Sequence, residues 1–190
     1  MPSLVHELQN EAIDSRTKVS DLLRKALVVA SKLGLEEFEQ WIRNELHGYG
    51  DDMPPEYRVV SAELRLFNPY RGYIPVVSSS PAFSETFSKR PLNLPIGELE
   101  DLVSKSDDDR SFYFNFTPEF NATLMKALHT DLIPSSIIER SAVFGILEKV
   151  RNSVLEWSLK LEKEGILGEG LSFSEEEKHK AKNPYLRYPA

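Results

Sequence analysis

The run of residues 141–165, SAVFGILEKVRNSVLEWSLKLEKEG, constrains the fold more than any other stretch, because its start, stripe and stop are all specified locally. Ser141 suits an N-cap, accepting a bond from an amide two or three residues on, and Gly165 suits the left-handed residue that ends a helix. With helical spacing, Val143, Leu147, Val150, Val154 and Leu161 fall in one arc, flanked by Ile146 and Trp157 on one side and Phe144 and Leu155 on the other. An arc that wide predicts packing on more than one neighbour. Lys149, Asn152, Glu156, Lys160 and Lys163 lie opposite, and Glu156 precedes Lys160 with the favourable acid-first spacing, so that side is expected to meet solvent. Arg151 breaks the pattern, projecting between Leu147 and Phe144 inside the apolar arc. A guanidinium there must find a partner or extend to water, because leaving it unpaired in an apolar medium is costly. Two roles stay open for it: a structural ion pair with Glu162, Glu169 or a sheet carboxylate, or contact with a ligand or phosphate.

The 190 residues suffice for one domain with a substantial core. A formal charge of -7 argues against holding nucleic acid by global charge, so nucleic acid is not the favoured partner. The chain has no cysteine, hence no disulfide framework, thiolate nucleophile or Cys-ligated zinc. Its start, MPSLVHELQNEAID, has neither a basic n-region nor an apolar h-region, and no apolar run approaches a membrane span. A cytoplasmic location is therefore expected.

Ser3 is placed to cap a first helix bearing Leu4, Val5, Leu8 and Ala12 on one side. Residues 19–33 make a second helix, nearly encircled by Leu22, Leu23, Ala26, Leu27, Val29, Ala30 and Leu33 and stopped by Gly34. A third, residues 35–46, groups Leu35, Phe38, Ile42 and Leu46 and ends at His47 and Gly48; short joints predict a helical hairpin. The period then changes. Residues 57–67 alternate, with Val60, Ala62, Leu64 and Leu66 facing one way, as in a strand with one wet face. The stretch 68–72, NPYRG, reads as a tight turn from which 73–77 returns antiparallel.

Ser80 and Pro81 are expected to open a short helix, and Pro95 another over 96–103. The stretch 105–110, KSDDDR, is a charged turn, and 111–117, SFYFNFT, has Phe112, Phe114 and Phe116 on one face of a strand. Pro118 starts a helix to about His129, and 136–140 reads as a short strand or an extended lead-in to the long helix. After the glycine-punctuated loop 166–170, Ser174 and Glu177 form a capping box for a final helix.

Motifs that carry chemistry are scarce. His6, His47, His129 and His179 lie in different elements with no local ligand pair, so no metal site is assigned and no cofactor is expected. The acidic triplets 107–109 and 175–177 read as solvated charge. There is no GxSxG, P-loop or dinucleotide fingerprint, and the glycines at 165, 168 and 170 follow a helix, without the lysine of a P-loop. No catalytic residue is assigned. The turn is more suggestive: Tyr70 and Tyr73 flank Arg71 beside Asn68, a combination able to stack on and clamp a ligand or peptide, or else a rigid tip whose tyrosines pack down. The candidate ligand- or partner-binding residues are thus Asn68, Tyr70, Arg71 and Tyr73, with Arg151 and Glu169.

The segments SLVHELQNEAID, VSDLLRKALVVASKLGLEEFEQWIRNELHGY, NPYRGYIPV and EKVRNSVLEWSLKLEKEGILGEGLSFSEEEKHKA occur in the order found in the AbiTii domain of bacterial abortive-infection systems, which the chain resembles over about residues 3–181. Residues 78–134 match only in general layout. The resemblance implies a bacterial antiphage protein, a toxin or effector component of abortive infection, and supplies no catalytic residues. Two functions follow: a non-enzymatic interaction, oligomerisation or sensor module controlling a growth-arresting output, or an intrinsically toxic enzyme such as a nuclease acting on host nucleic acid. The first implies a protein partner or self-association and a phage-derived trigger. The expected fold class is α+β: an N-terminal helical hairpin, a small mostly antiparallel β-sheet and the long C-terminal helix packed on the sheet. Residues 1–182 are expected as a single domain and 183–190 as a tail or linker.

Overall fold

The computed structural model describes residues 3–76, 81–105, 110–169 and 172–186. The protein is α+β, and its residues fall into a helical unit (Met1–Asp52, Asn93–Asp101 and Ile146–Ala190) and a sheet unit (Met53–Leu92 and Leu102–Gly145). Val77, the cap expected at Ser80, the aspartates at 107–109 and Gly170 lie outside the described residues.

In the helical unit, α1 (Leu4–Ile13) starts where Ser3 Oγ accepts from the His6 amide at 3.2 Å, and buries Leu4, Val5, Leu8 and Ala12 as its periodicity predicts. The second helix, α2 (Val19–Leu33), ends at Gly34 with φ 69° and packs on both α1 and α3 (Glu36–His47). The residue before α2 is Lys18, which supplies no cap. The cap comes instead from Glu100 of α5 (Ile96–Lys105), whose carboxylate accepts from the amides of Val19 and Ser20. At the end of α3, Gly48 has φ 86°, and a Cβ there would lie 2.6 Å from the Asn93 carbonyl oxygen and 3.1 Å from Pro95 Cδ. Only glycine lets the two segments approach so closely.

The long helix α7 (Arg140–Lys163) buries Val143, Ile146, Leu147, Val150, Val154, Trp157 and Leu161, the centre and one flank of the arc read from the sequence, whereas on the other flank Phe144 is 50 % exposed and Leu155 half-buried. Its end is a Schellman motif: Ile166 N–H donates to Leu161 O and Gly165 N–H to Glu162 O, both at 2.9 Å, and Ile166 is fully buried. Its start differs from the expectation. The helix begins at Arg140 directly from the preceding strand, with the Arg140 amide donating to Arg110 O, so Ser141 lies inside the first turn and is not the cap. The Trp157 ring lies 4.1 Å from that of Phe38, which stacks on Trp41 at 5.2 Å. Trp157 Nε1 donates to the carbonyl of Leu186, whose side chain is 2 % exposed, while α8 (Glu175–Ala181) carries the expected capping box.

In the sheet unit, the alternating run expected as one strand is two. β1 (Val59–Ser61) pairs with β4 (Lys89–Pro91), and β2 (Glu63–Asn68) pairs with β3 (Gly72–Pro75) and β6 (Ile133–Glu139), all antiparallel. The exchange of partners falls at Ala62, whose amide donates to Ser88 O at 2.8 Å. Alternation survives it: Val60, Leu64 and Leu66 are all buried. The four-stranded sheet has the order β3-β2-β6-β5, with β5 (Ser111–Asn115) at one edge. Of the stretch 136–140, read as a short strand or a lead-in, residues 136–139 belong to an interior strand and Arg140 opens α7; the strand's earlier start at Ile133 was masked by Ser135 and Ser136, buried at 1 % and 4 % exposure. The unit also holds α4 (Pro81–Thr86) and α6 (Pro118–Ala127), which is capped by Thr117 and packs on β6.

Because Glu100 is the cap of α2, Glu100→Ala should lower stability by about 1 kcal/mol or somewhat more without loss of helix content at low denaturant. Urea denaturation followed by circular dichroism would show it as a lower midpoint at unchanged slope.

Candidate functional site

The hairpin tip is built by Asn68. Its Oδ1 accepts from the amides of Tyr70 at 2.9 Å and Arg71 at 3.2 Å, and Gly72 completes the turn with φ 72°. The four candidates here divide by role. Asn68 shapes the turn, Tyr70 projects at 96 % exposure with Arg71 exposed beside it, and Tyr73 turns back onto the sheet. Tyr73 stacks on Tyr113 with ring centroids 4.2 Å apart and planes 20° apart, and lies 5.2 Å from Phe67.

Register explains this grouping. Phe67 pairs with Tyr73 and with Ile133, Arg65 pairs with Pro75 and Ser135, and Ile137 pairs with Glu63 and Tyr113, so these residues share one face. Tyr73 and Tyr113 meet above the two inner strands, over Ser135 and Ile137, which are 1 % and 6 % exposed. Their outer surfaces stay wet: Phe67, Tyr113 and Ile133 are 41 %, 49 % and 50 % exposed. Charges of both signs border the rings. Arg65 Nη2 donates to Glu63 at 2.9 Å, a bond that raises the Arg65 pKa, with Tyr113 and Glu139 adding to the effect. The face is therefore aromatic, with closely matched acid and base at its margin.

Arg151 and Glu169 belong to the helical unit and share no partner there. Instead of an ion pair with Glu162 or Glu169, the Arg151 guanidinium lies on main-chain carbonyls: Nη1 donates to Glu11 O, Ala12 O and Asp14 O at 3.5, 3.4 and 3.2 Å, and Nη2 to Thr17 O at 2.5 Å. Glu148 approaches Nε at 3.7 Å. Two of these carbonyls belong to the last turn of α1, which lack helical partners, so Arg151 is a C-cap delivered by another helix. Glu162 is engaged elsewhere, accepting from Gln9 Nε2 at 2.9 Å with His6 Nε2 at 3.1 Å.

Glu169 forms an isolated bridge with Ser172, whose amide and hydroxyl both donate to the Glu169 carbonyl. The carboxylate that organises this loop is that of Glu177. Its Oε1 accepts from the amides of Leu167 and Gly168 at 2.9 Å, and its Oε2 from Ser174 N at 2.8 Å. Burial pushes the Glu177 pKa up, but the amides of Gly168, Ser174 and Leu167 outweigh it and leave the group below its ordinary value. Two fully buried charged residues, Glu45 and Arg58, carried no signal in the sequence. Glu45 accepts from Tyr49 Oη at 2.6 Å and Arg58 Nη1 donates to Leu92 O at 2.9 Å. Among the described residues, no cluster of three His, Cys, Asp or Glu could hold a metal ion, and no helix is long and apolar enough to cross a membrane.

Replacing Arg151 by methionine keeps the bulk and strands the carbonyls, so R151M should cost about 2–4 kcal/mol of stability, read from thermal or urea melts, while Arg151→Lys should recover part of it. Glu177 binds fewer protons folded than unfolded, so its contribution is complete above the ordinary value of 4.5 and is lost as pH falls through the lower folded pKa. The melting temperature of E177Q should accordingly fall less steeply than that of the wild type on acidification below that pH.

The AbiTii family model matches residues 3–184. No curated protein and no solved structure matches the chain. With a family match over nearly its whole length, the chain belongs to the AbiTii family, an abortive-infection phage-defence family.

Proposed function

We propose that this protein is a non-enzymatic interaction module of a phage-defence system, which binds a protein surface through the open face of its sheet and so controls a growth-arresting output. The observation that carries this reading is the exposed cluster of Phe67, Tyr113 and Ile133 around Tyr73, beside the protruding Tyr70 and Arg71. Aromatic residues and arginine are the side chains that most often anchor protein interfaces, since they offer large contact area at small entropic cost. Single-stranded nucleic acid also stacks on aromatic faces, but it requires a positive surround, whereas this chain has a net charge of -7 and places Glu63 and Glu139 at the margin of the face. A self-associating copy or a phage protein meets no such electrostatic opposition. The mixed charges at the border are those of an interface rim, which set specificity more than affinity.

Light scattering across a concentration series, and capture from cells before and after phage infection, should detect association. Tyr70→Ala combined with Tyr113→Ala should weaken it by about tenfold or more with the melting curve nearly unchanged, and should abolish growth arrest in infected cells. A strict monomer that captures nothing would sink the proposal, and growth arrest with degradation of host nucleic acid by the purified protein would favour the toxic enzyme.

A further inference from the structure

A second group in the sheet unit is built around Arg90 of β4. Its guanidinium carbon lies 5.3 Å from the ring centroid of Phe114 and 5.2 Å from that of Phe116. Phe116 in turn packs against Phe120 at 5.2 Å and Phe87 at 6.3 Å, and Phe87 against Phe83 at 4.9 Å. Among the described residues no carboxylate or hydrogen-bond acceptor reaches the Arg90 guanidinium, and burial, with no anion to offset it, lowers its pKa. The guanidinium is thus a partly buried cation held against two phenyl faces, which meet its charge but none of its N–H groups.

We propose that Arg90 and the surrounding phenylalanines bind a carboxylate carried on an apolar body. A guanidinium is a planar fork that pairs bidentately with a carboxylate, and such charge-assisted bonds strengthen where water is scarce. Phosphate fits less well, because a dianion is usually gathered by several charged donors, whereas Arg90 stands among phenyl rings, the Ser88 hydroxyl is already given to Glu85 O at 2.7 Å and Glu119 brings a negative charge to the first turn of α6. The apolar body has a place beside the fork. A cavity of about 150 Å³ is lined by Leu64, Val76, Phe83, Ser84, Phe87 and Ser88, and Phe87 is common to it and to the ring cluster. The pocket is open to solvent on one side, and Phe83, Phe87, Leu64 and Val76 give it an apolar wall against which such a body can lie. Glu63, also on the cavity wall, is already paired with Arg65. Two sources provide this chemistry, a free aromatic or aliphatic acid and the C-terminus of a chain ending in an apolar residue.

The test is an amide-resonance titration of the full labelled chain with phenylacetate, with an acetylated pentapeptide ending in phenylalanine, and with the same peptide amidated at its C-terminus. Phenylacetate or the free-acid peptide should shift resonances at Phe83, Phe87, Arg90, Phe114 and Phe116, and the amide should bind about tenfold more weakly or not at all. The tighter of the two acids identifies the source. Arg90→Gln should remove the binding, and Arg90→Lys, which keeps the charge without the fork, should weaken it by about tenfold. Arg90→Met provides a readout independent of ligand: it keeps the packing on the rings and removes a partly buried charge that has no anionic partner among the described residues, so the melting temperature of the free protein should be unchanged or higher. Equal binding of acid and amide, binding retained in R90Q, no shifted resonances up to millimolar probe, or a lower melting temperature in R90M with no effect of the acids would each overturn the proposal.

Discussion

A helix that ends against protein must have its last carbonyls satisfied from outside itself, and at the end of α1 that task falls to one side chain. Arg151, rising from the apolar stripe of α7, spreads its guanidinium over the oxygens of Glu11, Ala12, Asp14 and Thr17. One residue thereby ties the end of α1 and the start of the connection to α2 onto the longest helix. Much of the helical unit is joined in the same manner, with a side chain from one element completing the backbone of another. Glu100 serves the amides of α2, and Glu177 serves those of Leu167, Gly168 and Ser174. Long-range caps of this kind bring the desolvation of a charge and the repair of an exposed helix end into one contact, which is why losing either partner is expensive.

The sheet unit obeys a different constraint. Its strands satisfy each other along the ladder, so the side chains of the open face are released from structural duty, and there the rings of Tyr73, Tyr113 and Phe67 gather over the two inner strands. A comparison of Arg151 with Arg90 makes the contrast plain. Arg151 is 11 % exposed and surrounded by acceptors, whereas Arg90 faces phenyl rings with no acceptor among the described residues. A buried charge whose donors all meet acceptors supports the fold; one that meets only phenyl faces keeps its donors for a bound anion. On that physical ground one is assigned to structure and the other to recognition.

Helix caps, stops and stripes were legible because they act over three or four residues. Ser3, Gly34, Ser174 with Glu177, Gly165 and the apolar arc of the long helix all stand where the sequence places them. The alternation of residues 59–68 was equally legible, although the exchange of partners at Ala62 was not, since it depends on Ser88 and β4 arriving from elsewhere in the chain. β6 was readable only in part for a related reason: two buried serines interrupt its apolar pattern, and only pairing on both edges makes them strand residues.

The same division runs through the candidate site. The sequence by itself determined the α+β class, the hairpin that presents Tyr70 and Arg71, the family, and the anomaly of a guanidinium within an apolar stripe. Tertiary structure alone decided what that guanidinium binds, that Tyr73 joins Tyr113 from the opposite edge of the sheet, and that Arg90 is left among phenylalanines. Local patterns report which way a side chain points; its partner is set by contacts between segments far apart in the chain, and no short-range periodicity encodes those.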